Sequence, residues 1–140
     1  MSPGFSTHDV GRLVVCTLDG TPTVEALAAI REAVARRRDR SSVVVLVPAG
    51  ARPPSPEVRK AALETLRDLD GEIGAWVVVL RTNLIVRAAF RGVVGALLLA
   101  ARIRLPVVLF DSTERAAEWL ALRGLFSGSH RDLDGLDDVG

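Results

Sequence analysis

Four times along this chain a short run of β-branched and aliphatic residues is followed by a turn and then by a helical pattern. The runs cover residues 12–18, 42–47, 75–80 and 106–110. Strands that alternate with helices call for crossover connections, and crossovers of one hand place the strands parallel in one sheet. The second run, Val43 to Val47, has no polar residue at all, as expected of a strand covered on both faces. The pattern therefore predicts an α/β domain with a mostly parallel sheet flanked by helices.

The 140 residues suit a single domain, and 49% hydrophobic residues suffice for a true core. Aromatics are only 4%, so that core must be aliphatic. Basic and acidic residues number 18 and 17, which lacks the excess of positive charge expected of a nucleic-acid binder. Cys16 is the only cysteine, which rules out an intrachain disulfide and a cysteine metal cluster. Residues 1–9 lack the basic and then apolar run of a secretory leader. The longest uninterrupted apolar run, 92–101, is short of the roughly 20 residues that span a bilayer. A bacterial cytoplasmic protein without a transmembrane segment is the expectation.

Turn and cap residues divide the chain further. Residues 1–10 read as a flexible N-terminus or a short edge strand that turns at Gly11, residues 11–123 as the domain, and residues 124–140 as a disordered acidic tail. Thr21-Pro22 is placed to open the first helix, whose inner face carries Leu27, Ile30 and Val34. Ser55-Pro56-Glu57 opens the second in the same way. The third, over 84–102, is nearly all apolar apart from Arg87, Arg91 and Arg102. Asp111 and Glu114, three apart, suggest a capping box for the fourth. In such a sheet the parallel strands end along one edge, where the helices begin, and a site is expected there.

Candidates for chemistry are few. There is no Gly-x-Gly-x-x-Gly and no P-loop. The two histidines, His8 and His130, fall near the chain ends, away from any nucleophile that would need them as a base. Asp19 and Asp111 each follow a strand, where turn and cap chemistry accounts for them. The acidic tail from Asp132 to Asp138 faintly resembles a calcium loop but lacks its distal glutamate. No catalytic residue, cofactor or metal site is expected. Arg81, Arg87 and Arg91 are candidate anion contacts at the sheet edge, weighed against a simple solubilising role.

Three segments carry a family resemblance: Leu-Phe-Asp-Ser-Thr-Glu-Arg-Ala-Ala-Glu-Trp-Leu at 109–120, Ala-Gly-Ala-Arg-Pro-Pro-Ser-Pro-Glu-Val-Arg at 49–59, and Asn-Leu-Ile-Val-Arg-Ala-Ala-Phe at 83–90. With the βα repeat, they make residues 11–122 resemble the STAS and SEC14-like group, relatives of bacterial anti-sigma-factor antagonists. The resemblance implies a four-turn βα superhelix and a non-enzymatic regulatory module that docks onto protein partners. In that family a Ser or Thr at the start of the second helix is phosphorylated to switch docking. Ser55 is the positional match, flanked by Pro54 and Glu57. The family's Asp-Ser-(Ser/Thr)-Gly-Leu motif is absent here, and Glu57 would repel a phosphate.

Two readings follow. In the first, the docking surface comprises the 48–55 loop, the start of the second helix and the apolar face of the third helix. Val93, Leu97 and Leu98 are then candidate interface residues, for a protein partner or a homodimer. In the second, that helix roofs a pocket for a small apolar or lipid-like ligand, which would need a cavity of roughly 300 Å³.

Overall fold

A computed structural model describes residues 4–133. Two strands, β1 (Phe5–Val10) and β2 (Leu13–Leu18), form an antiparallel hairpin. There follow α1 (Val24–Ala35), β3 (Ser42–Val47), α2 (Pro56–Leu69), β4 (Trp76–Leu80), α3 (Leu84–Ala101), β5 (Val107–Phe110) and α4 (Thr113–Leu122). The five strands stand in the order β1-β2-β3-β4-β5, and every pair after the first is parallel. The protein is thus α/β, with a five-stranded mostly parallel sheet flanked by helices.

That order explains where the helices lie. Each crossover steps one strand further in the same direction, so crossovers of one hand put α1, α2 and α3 on one face. No strand follows α4, so it is free to fold onto the other face. Alternation along each strand serves both layers. Val14, Cys16, Val43, Val45, Val78 and Leu80 pack toward α1, α2 and α3. Leu13, Val15, Val44, Leu46, Val77 and Val79 pack toward α4. All of β3 and β4 is buried.

The expected helix boundaries shift slightly, for capping reasons. Thr23, not Thr21, caps α1 by accepting from the Ala26 N–H. Thr21 instead accepts from the Arg52 N–H, tying the loop after β2 to the loop after β3. Ser112 caps α4 in place of the Asp111–Glu114 box, and Asp111 lies 3.6 Å from Arg115. At the other edge of the sheet Arg37 is nearly enclosed. It pairs with Asp9 and Asp39 and donates to the Gly11 carbonyl, fastening the β1–β2 turn beneath the end of α1. The Arg37 side-chain hydrogen bond holds the Asp39 carboxyl below the usual carboxylate range.

One reading of the chain ends is narrowed and one is revised. Residues 5–10 form the edge strand, with His8 exposed opposite Val15. At the C-terminus the segment read as a disordered tail is structured through residue 133. Phe126 and Leu133 are buried beside Leu13, Val15 and Val44, and residues 130–133 make one helical turn. The physical reason is that α4 alone does not cover its face of the sheet, and these two side chains fill the uncovered end. Residues 134–140, with the rest of the calcium-like pattern, lie outside the described residues.

Leu133 is 0% exposed, so Leu133→Ala should cost about 2–5 kcal/mol, as for other large-to-small core changes. Urea unfolding of the two proteins measures it. A difference below about 0.5 kcal/mol would mean that the segment adds nothing to the core.

Candidate functional site

The parallel strands release four loops along one edge, and the sequence candidates can be placed there one by one. After β3 the chain makes a proline-stiffened loop. Ala51 is buried and donates to the Pro48 carbonyl at 3.1 Å. Ser55 caps α2, its hydroxyl accepting from the Val58 N–H at 3.3 Å, with Pro56 and Glu57 in the first turn. Ser55 and Glu57 are exposed, whereas Pro54 is half-buried and lines a partly open apolar cavity.

After β4, Asn83 caps α3 by accepting from the Val86 N–H at 2.9 Å. Arg87 folds back to donate to the Thr82 carbonyl at 3.1 Å, while its Nε and the Thr82 hydroxyl are buried without a hydrogen-bond partner among the described residues. Arg81 and Arg91 are exposed. Of the three candidate anion contacts, then, one is turned inward onto its own helix start.

Asp19 follows β2 and Asp111 follows β5, with β3 and β4 between. Three strand spacings separate those positions by roughly 14 Å, so the two carboxylates do not converge. Among the described residues no group of three or more His, Cys, Asp and Glu could hold a metal ion. Cys16 is fully buried in β2, and desolvation pushes its thiol up to about 12.

Between α1, α2, α3 and the sheet lies a cavity of about 100 Å³. Val45, Val78, Val58, Ala62, Phe90 and Val94 are among the residues lining it. That is well below the roughly 300 Å³ at which ligand pockets begin.

The most unusual surface is on α3. Its inward phase is set by Phe90 and Ala101, its only buried residues, with Val93, Val94 and Leu97 against the cavity. Val93, Leu97 and Leu98, the expected interface residues, are all half-buried. Eleven residues separate Phe90 from Ala101, close to three full turns, which places Leu97 on the same inner side. The outward face carries Leu84, Ile85 and Leu99, which are 75%, 83% and 83% exposed. Between them Ala88, Ala89, Gly92, Gly95, Ala96 and Ala100 are exposed too.

No acidic residue occurs from 73 to 110, where the charges are Arg81, Arg87, Arg91, Arg102 and Arg104. By length and composition α3 is apolar enough to cross a membrane, with a mean hydropathy of 1.9, although counting uninterrupted apolar residues did not suggest it. Its inner face nonetheless belongs to the core of the sheet. Comparisons with protein-family models, with curated proteins and with solved structures find no match.

Two consequences are measurable. Ala62→Leu should fill part of the cavity and raise stability by about 0.5–2 kcal/mol, read as a higher thermal midpoint. A loss instead would mean that the void cannot accept the added carbons. For Cys16 the raised pKa favours the native state through the neutral thiol. That stabilisation is complete below about pH 9 and is lost as pH climbs from 9 toward 12. Native Cys16 should accordingly react with a thiol reagent at neutral pH at least about a hundredfold more slowly than in urea. Equal rates would contradict its burial.

Proposed function

We propose that this protein is a non-catalytic, STAS-like interaction module of a bacterial cytoplasm, docking onto a protein partner through the outer face of α3. The observation that carries the reading is that face: nine exposed apolar residues on one helix, with the exposed Arg91 at their border. Contiguous exposed apolar surface of this kind marks interaction sites more often than it serves a monomer. The sequential strand order, with three crossover helices on one face, supports a βα superhelix of the STAS type. An exposed Ser55 at the start of α2 also suits that family, although its position is already explained by capping.

A regulatory phosphate on Ser55 has less in its favour. Glu57 stands in the same helical turn, and like charge there opposes a second anion. The rival reading, a SEC14-like carrier of an apolar ligand, has only the cavity of about 100 Å³ beneath it. The wide separation of Asp19 and Asp111 withdraws support from a carboxylate-based enzyme.

The test is photo-crosslinking in cells. A benzophenone amino acid is placed at position 99 on α3 and, as a control, at exposed position 118 on α4. Protein adducts formed at 99 and not at 118 are expected. Absence of any protein adduct at 99 would remove the basis of the interaction-module reading.

A further inference from the structure

The layer of α1, α2 and α3 surrounds a space that its own side chains do not fill. The cavity measures about 100 Å³. One water needs roughly 10–15 Å³, and protein interiors leave few voids larger than a water. Of the side chains lining the cavity, only Thr23 and Trp76 carry a polar atom. The Thr23 hydroxyl is already engaged by the Ala26 N–H at 3.1 Å. Water held there would lack the roughly two to four polar partners that retain a buried water.

The walls explain why the space stays open. Pro22 and Pro54 line it at the loop edge, both half-buried. Their loops are joined by the hydrogen bond from the Arg52 N–H to the Thr21 hydroxyl at 3.0 Å. Proline fixes φ within each loop, and the hydrogen bond fixes one loop against the other. Ala26 of α1 and Ala62 of α2 contribute only a methyl group each. Val93, Val94 and Leu97 of α3 face the cavity and are half-buried. The space is thus apolar, partly open and bounded by elements held in place by other contacts.

We infer that this cavity binds an uncharged hydrocarbon group of about six carbons, a single ring or the end of an alkyl chain, since apolar cavities of roughly 150 Å³ take up benzene. Affinity comes from apolar surface removed from water against Val45, Val78, Phe90 and Val94. A hydroxyl or charge on the enclosed part of the ligand would lose its hydration without gaining a partner. The site touches the inner side of α3 and does not depend on the docking role proposed for the outer face. It is too small for the whole lipid that a SEC14-like carrier would hold.

The test titrates the full chain with toluene, with phenol as its polar counterpart of similar size, and with decanoate, and reads the thermal midpoint. Toluene should raise the midpoint saturably, and phenol should bind at least about tenfold more weakly. Ala62→Leu narrows the cavity and should weaken toluene binding at least about tenfold without lowering its own midpoint. Should Ala62→Leu not fold, Val94→Leu narrows the same space from α3. Leu99→Ser, on the exposed outer face, should leave binding unchanged.

Toluene binding without decanoate binding would identify the ligand as a free ring-sized molecule, and tighter binding of decanoate as the end of a longer chain; both support the site. No saturable binding of either would overturn the inference. Equal binding of phenol and toluene would overturn it as well. So would a response lost in Leu99→Ser and kept in Ala62→Leu, because the molecule would then lie on the outer surface of α3.

Discussion

Every other feature of this protein follows from two strands that water never reaches. β3 and β4 have no exposed residue on either face. A sheet with such a centre must be covered twice, and a chain of this length can do so only by returning a helix after each strand. Crossovers of one hand then send three helices to the same side. The other side is left to α4 and to the segment that follows it. Phe126 and Leu133 are buried because without them that face would stay open to water beyond the reach of a ten-residue helix.

The same constraint produces the exposed surface of α3. A helix over the sheet needs one apolar stripe, which here follows Phe90, Val94, Leu97 and Ala101. An ordinary surface helix would be polar elsewhere. Apart from Arg87 and Arg91 this one is apolar, so satisfying the sheet leaves a second apolar face turned to solvent. The cavity beneath it shows that the inner stripe packs imperfectly.

Much of the fold was legible because the signals are local. The β-branched runs and Ser55 with Pro56 depend on neighbours within a few residues. The errors were also local, and instructive. Thr21 and Thr23 are both competent caps, and only the Arg52 N–H waiting on another loop decides which one caps α1. The half-burial of Val93, Leu97 and Leu98 was hard to read because a helix that is mostly apolar carries little internal marker of phase. Val93 and Leu99 look equivalent until Phe90 is seen to point inward. Arg37 stands just past the end of α1. Its two carboxylate partners lie 28 residues upstream and two downstream, and only folding brings Asp9 beside it.

By itself the sequence determined the class of fold, the parallel sheet and the absence of a familiar phosphate cradle, because periodicity and turn chemistry act over short distances. Which face of α3 is buried was decided only in three dimensions, as were the separation of Asp19 from Asp111 and the burial of Leu133. Each of these depends on the distance between segments far apart in the chain, and that distance is set by strand order and crossover hand rather than by any local preference.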